Sequence, residues 1–481
     1  MKNFEVTIGL EIHTELNTQS KMFCSCKNDP FNSEPNTNVC PTCLGLPGSL
    51  PVPNKQAILD TIKIGKALGS TIAIATKWDR KHYFYPDLPK NFQISQFDQP
   101  ICEGGYLPLA DGKVALTRIH LEEDTGKLTH FQSALALSEK KNYSLIDLNR
   151  AGVPLVELVT EPVIHSAIKA REFCEEYQLV LRTLSVSSAD MEKGEMRCEV
   201  NISLRENHRK QETNSKQIPN FNDQDFKLGT KVEIKNLNSF RAVERAIQYE
   251  IKRQTEMLEK GEKIIQETRG WNDSKQKTYA QRVKETSADY RYFPEPDIPP
   301  IETSELQKES GKLPEMPWEK RKKFMRWGLA EKDASILAKD LGKADYFERS
   351  AKSAKDKKGL ANLFINDASE MNIKAEDLAS IANEISSGKI NRKIAQEIIR
   401  KKENGADLKK LFSQYQKIGD TNKLEKIVKK VIAENLEVVS KIKAGKKEAI
   451  AFLIGCVMAE TRGQAEAEIV AELISRSINN T

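Results

Sequence analysis

Cysteine is scarce in this sequence, with eight among 481 residues, too few for a disulfide scaffold in a chain of this length. No run of about 18 apolar residues occurs, so no segment reads as a membrane span. The opening MKNFEVTIGL has neither the apolar core of a secretory signal nor the Arg/Ser-rich, acid-poor character of a transit peptide, and a cytoplasmic location is expected. No G-x-x-x-x-G-K-[ST] is present, which excludes a P-loop for any nucleotide. Excess charge of either sign is missing from the first 350 residues, which hold 51 Lys+Arg and 51 Asp+Glu. The net charge of +6 therefore lies after residue 350, where 24 Lys+Arg face 18 Asp+Glu. A basic tail on a neutral body predicts different partners for the two, an anionic one for the tail.

At 481 residues the chain is too long for one hydrophobic core, and two to four domains are expected. Mean hydropathy of −0.55 describes a soluble globular protein. TIGLEIHTEL, with Val6 before it, alternates Val6, Ile8, Leu10 and Ile12 with Thr7, Gly9, Glu11, His13 and Glu15, a strand with one apolar and one ionisable face. RCEVNISLR and KVEIKNL repeat the pattern, separated by an almost wholly polar stretch that reads as a hairpin tip or an insertion without a core. A helix follows, with Ser239 as its cap, Phe240, Val243, Ile247 and Ile251 on one stripe, and Gly261 after its end. The proline-dense RYFPEPDIPP closes this part. The predicted class is α+β: an α+β domain over residues 1–300, built on an antiparallel sheet, a small helical unit over 301–350, and a helical tail over 351–481.

Three strands place carboxylates on a polar face, Glu11 with His13, Glu199, and Glu233, and VALTRIHLEED ends in Glu122, Glu123 and Asp124. A solvated face explains any one of them. Repeated across a sheet, like charges repel unless a cation neutralises them, which favours a metal site. Carboxylate donors suggest Mg²⁺ and phosphoryl chemistry. His13 suits Mg²⁺ less well, and points to Mn²⁺, to contact through water or to another task. Cys24-x-Cys26, thirteen intervening residues, then Cys40-x-x-Cys43 and Gly45 supply four thiolates in two short turns. That spacing predicts a closed, structural Zn²⁺ knuckle over residues 24–43, remote from the phosphoryl chemistry, against the alternative of free thiols. Cys102, Cys174, Cys198 and Cys456 read as core residues. Tyr83, Tyr85, Tyr290 and Tyr292, beside Lys90 and Arg291, either stack on a base or pack within proline-rich loops.

IGLEIHTELNTQSKMFC, YFYPDLPKNFQISQFDQPI, HLEEDTGKLTH, SLIDLNRAGVPLVELVTEP, RCEVNISLR, VEIKNLNSFRAVERAI and DYRYFPEPDIPP together resemble the B subunits of aspartyl/glutamyl-tRNA(Asn/Gln) amidotransferases, densely over residues 5–300 and by pattern beyond. The resemblance implies ATP-dependent transamidation of Glu or Asp misacylated onto tRNA(Gln) or tRNA(Asn), through phosphorylation of the side-chain carboxylate and displacement of phosphate by ammonia. It implies Glu11, His13, Glu123, Glu199 and Glu233 around Mg²⁺, with Glu199 standing where relatives often carry Asp. Asp147, Asn149, Arg150 and Lys235 are implied to hold phosphate or the acceptor end. No glycine-serine-rich amidase signature is present, so the resemblance also implies an amidase partner chain that supplies ammonia and a small third chain, with the helical tail binding tRNA. Two readings of other classes compete: a non-enzymatic tRNA-binding zinc scaffold, which has no need of carboxylates on three strands, and a metal-dependent phosphoesterase, which does not depend on aminoacyl-tRNA.

Overall fold

The computed structural model describes residues 4–132, 142–206, 228–283, 290–415, 421–443, 449–461 and 464–479. The polar stretch between the strands RCEVNISLR and KVEIKNL lies almost wholly outside them, as do Lys446 and Lys447 of the tail. The chain forms two units, Met1–Pro317 and Trp318–Thr481.

The first unit is α+β, as the alternating patterns predict. Its main sheet runs in the order Lys277–Val283, Glu267–Asn272, Val232–Leu237, Met196–Glu206, Phe4–Glu15, Pro154–Thr160, Gly112–Glu123, Cys102–Glu103 and Thr71–Ile72. All neighbours pair antiparallel except Val232–Leu237 with Glu267–Asn272. On one face Ile8, Leu10 and Ile12 of the first strand and Val200 and Ile202 of its neighbour are fully buried. The helices Ala167–Thr183 and Phe240–Glu259 cover this face, and the Cys174 and Cys198 sulfurs lie 3.7 Å apart across the contact. The second helix begins as expected, with the Ser239 hydroxyl accepting from the Ala242 amide at 3.1 Å. A three-stranded sheet, Phe293–Pro294, Asp79–His82 and Phe92–Ser95, is also part of this unit.

The division between the units falls beyond the expected boundary at residue 300. Ile301–Glu302 pairs with Ala75–Thr76, and the helix Ser304–Glu309 packs on the helix Lys55–Ala67. Within the second unit, one apolar core draws on residues 324–415 and includes Ala351. The second unit is helical throughout its described residues. A separate apolar cluster, with Leu424, Val428, Leu453, Val457 and Ile474, organises its last helices.

Candidate active site

The other face of the main sheet gathers its ionisable groups by register. His13 stands opposite Glu157 on one side and Arg197 on the other, Glu157 stands opposite His120, Glu11 opposite Glu199, and Asn201 opposite Glu233. Side chains of five adjacent strands thus line a cavity of about 1030 Å³, whose remaining wall includes residues 81–85, 95–97 and 290–292 together with Asp87, Gln93, Asp124 and Thr125. Both aromatic segments singled out in the sequence reach this wall. There Tyr292 stacks on Phe97 with centroids 4.1 Å apart, and the Lys81 ammonium lies 5.2 Å from the Tyr290 ring centre.

The tightest cluster is His13, Glu122 and Glu157, each offering a ligand atom within 4.8 Å of the others. His13 Nε2 lies 3.6 Å from Glu122 and 3.5 Å from Glu157, and His120 Nε2 approaches Glu157 at 3.1 Å. Burial opposes a proton on His13, but the hydrogen-bonded Glu157 carboxylate, with Glu122 and Glu199, outweighs it and raises the imidazole to about 9. Burial likewise opposes charge on Glu157, yet His120 and His13 hold it ionised, well below the usual carboxylate range. A group of two carboxylates and an imidazole that needs extra positive charge to stay buried suits a small divalent cation. Beside it, Lys235 bridges Glu199 at 3.0 Å and Glu233 at 3.3 Å, and Asn201 donates to Glu11 at 2.7 Å. Lys81, half-buried, lies near Glu122 and Glu157, which keep its amine protonated against the cost of desolvation.

Glu11, His13, Glu199, Glu233 and Lys235, expected from the sequence, therefore share one cavity. Glu123 does not join them. Successive strand residues face opposite ways, so Glu122 enters the cavity while Glu123 points behind the sheet, accepts from the Ile94 amide at 2.9 Å and pairs with Lys90. Asp147 and Asn149 are also turned away. Asp147 accepts from the Asn36 amide at 3.0 Å and Asn149 from that of Asn38 at 2.8 Å, so they brace the segment before Cys40. Arg150 donates to the carbonyls of Thr125 and Gly126 and holds the turn at the cavity's end. Glu157 and His120 were missed by sequence reasoning, although each is an ionisable residue interrupting an apolar strand, VPLVELVT and RIHLE, the same signal that flagged Glu11.

The four cysteines do converge, with their sulfurs within 4.8 Å of one another. The Cys40 amide donates to the Cys43 sulfur at 3.1 Å, and Gly45 closes the turn in the left-handed region at φ 68°. A hydrogen bond from Cys24, aided by the nearby Lys21 ammonium, lowers the Cys43 thiol to about 5, the thiolate form a metal ligand requires. The donor set fits a tetrahedral zinc. Its position departs from expectation, since the knuckle is not remote from the cavity. A Cβ on Gly152 would lie 3.5 Å from Cys43 Cβ and 3.8 Å from Glu123 Oε2, which sets the knuckle against the back of the strand that carries Glu122.

A model of the GatB/GatE catalytic domain matches residues 6–309 and a model of the GatB domain matches residues 345–478. The chain is 42% identical over 493 residues to the B subunit of the aspartyl/glutamyl-tRNA(Asn/Gln) amidotransferase of Thermosipho melanesiensis, a match that covers 99% of this chain and 100% of that one. It is also 42% identical to the proteins of the same name from Crocosphaera subtropica, over 503 residues, and Carboxydothermus hydrogenoformans, over 495 residues, with 98% of each covered.

Proposed function

The chain belongs to the family of aspartyl/glutamyl-tRNA(Asn/Gln) amidotransferase B subunits, and from that premise we propose that its cavity performs the phosphoryl step of ATP-dependent transamidation. A carboxylate oxygen of the Glu or Asp esterified to tRNA attacks the terminal phosphorus of ATP. The bond to ADP breaks and an acyl phosphate forms. Ammonia then adds to the carbonyl carbon, the nitrogen loses a proton, and phosphate leaves with the electron pair of its bridging bond.

The observation that carries this reading is the His13, Glu122 and Glu157 cluster on the wall of the cavity. These residues would hold a divalent cation, Mg²⁺ or, given the imidazole, Mn²⁺. Such a cation offsets charge on the transferring oxygens. Lys81, Lys235 and Arg197 supply the protein's own positive charge toward phosphate, and Glu11, Glu199 and Glu233 orient Lys235 and Asn201. Cys24, Cys26, Cys40 and Cys43 would hold structural zinc. Ammonia comes from an amidase partner chain, a small third chain completes the assembly, the helical unit binds the body of the tRNA, and the complex works in the cytoplasm.

The test is ATP hydrolysis by the assembled complex with misacylated tRNA, with uncharged tRNA and with none. Stimulation by misacylated tRNA alone, abolished by Glu122→Gln, supports the reading. Equal hydrolysis in all three contradicts it in favour of a phosphoesterase, and no hydrolysis in any favours a binding scaffold.

A further inference from the structure

The cysteine knuckle and the carboxylate cluster lie on opposite faces of one strand, and a continuous set of buried contacts joins them. Gly45, two residues after Cys43, sits so close to Lys90 that a Cβ there would come within 2.5 Å of Lys90 Cγ and 3.2 Å of its Cα. Phe23, adjacent to Cys24, has its ring centre 6.0 Å from the Lys90 ammonium. Lys90 in turn pairs with Glu123, and both side chains are almost fully buried. Removing either charge leaves the other uncompensated, so the two must move together. The carboxylate of Glu123 accepts from the Ile94 amide, and its backbone carbonyl accepts from Gln93 Nε2 at 2.6 Å. The next residue, Ser95, donates its hydroxyl to Glu122 Oε2 at 2.8 Å. Residues 93–95 of the short strand Phe92–Ser95 therefore grip Glu123 behind the sheet and Glu122 in front of it.

A second line of contacts runs from the same knuckle. The ammonium of Lys21, a residue with no exposed surface, lies 3.9 Å from the Cys43 sulfur and donates to the Leu148 carbonyl at 3.3 Å. Gly152, with φ at +87° and packed against Cys43 and Lys21, donates its amide to the Asp124 carbonyl at 2.8 Å. Both lines end on residues 122–124.

We propose that the metal-loaded knuckle is a positioning element for the phosphoryl site: by fixing Lys90 it fixes Glu123, and through residues 93–95 it fixes the carboxylate of Glu122, so that divalent-ion affinity at His13, Glu122 and Glu157 depends on occupancy of the cysteines. The inference rests on the two metal assignments above. Groups that orient a ligand from outside the coordination shell typically change metal affinity by 10–100-fold. Without the shared cation no metal–sulfur bond ties the two cysteine turns together, which loosens the turn that presses on Lys90.

The experiment uses the full chain with Mn²⁺ as the probe, its binding followed by electron paramagnetic resonance, alongside zinc content and hydrogen exchange at the Ile94 amide. Stripping zinc with a chelator is expected to weaken Mn²⁺ binding about tenfold and to speed exchange at Ile94. Lys90→Met is expected to do the same while zinc remains stoichiometric, which separates the contact path from loss of the knuckle itself. Unchanged Mn²⁺ affinity in stripped, folded protein overturns the proposal. If stripping unfolds the chain, unchanged affinity in zinc-loaded Lys90→Met overturns it instead. An unaltered chain that takes up no zinc, or no Mn²⁺, overturns the metal assignments themselves and this inference with them.

Discussion

The two units treat charge in opposite ways. Among the described residues, the first unit buries Lys21, Asp79, His120, Glu122, Glu123, Asp124, Glu157, Glu233 and Glu250, whereas the second buries only Ser350 and Thr461 among its polar side chains. In the second unit the basic residues lie on the surface and several meet acids: Arg392 pairs with Asp367 at 2.8 Å, Lys401 with Glu397 at 3.0 Å and Lys402 with Asp377 at 3.3 Å. Buried ions cost several kcal/mol each unless a partner or a metal compensates them, so the first unit is arranged for chemistry that uses fixed charge. Surface ions cost little and are screened by salt. They suit an extended anion held loosely.

The largest test of this contrast concerns two neighbouring residues. Glu122→Gln is expected to lower acyl-phosphate formation on the order of 100-fold, the scale of losing one group aimed at transition-state charge, with the unfolding midpoint little changed. Glu123→Gln is expected to act chiefly on stability, with no more than the roughly tenfold loss of divalent-ion affinity expected of Lys90→Met. It strands Lys90 in the interior and costs roughly 3–5 kcal/mol in denaturant unfolding, much of it recovered in Glu123→Leu combined with Lys90→Met. If Glu123→Gln abolishes phosphorylation in a protein of normal stability, the division between front and back of the strand is wrong.

A smaller effect comes from pH. His13 must shed its proton to bind a cation, and that proton is held up to about pH 9. Mn²⁺ affinity should therefore rise roughly tenfold per unit between pH 7 and 9 and level off above. Without metal the sign reverses. The raised imidazole stabilises the fold fully below about 6.5, and this contribution is lost as pH climbs through about 9. A flat binding profile over that range would remove His13 from the ligand set. The smallest effect is expected in the second unit. Lys393→Glu and Arg400→Glu should each raise KM for misacylated tRNA a few-fold at unchanged kcat, and reduce the slope of log affinity against log salt by about 1. An unchanged slope would leave those residues as solvated helix surface.

Much of this arrangement is legible in the amino-acid sequence, and the point where legibility fails has a physical cause. Alternation in TIGLEIHTEL and RCEVNISLR places Glu11, His13 and Glu199 on one face because both strands run without interruption. The strand ending at Glu123 does not. Thr160 pairs with Leu116 but Val159 pairs with Arg118, so Thr117 is extra and the bulge inverts the phase. Counting onward from Leu116 puts Glu123 on the polar face. Counting from the buried Ile119 and Leu121 puts Glu122 there, as the structure does. The cysteine spacing gave the knuckle, since four ligands in two turns need only local geometry. Its proximity to Glu123 depends on Gly45 meeting Lys90 and Gly152 meeting Cys43, contacts between distant segments that no local pattern encodes.

The cavity draws its walls from the first strand to Tyr292, with paired neighbours that are often far apart in the chain. At a synthesis rate of about 5–20 residues per second, the ribosome needs roughly 15 to 55 seconds to travel from Glu11 to Tyr292. Over that interval the strands that bring Glu157, Glu199 and Glu233 join Glu11 and His13 one after another, and the wall at Tyr292 comes last. The complete cavity therefore exists only after the stretch around Tyr292 has been made, and a chain released before it lacks that wall.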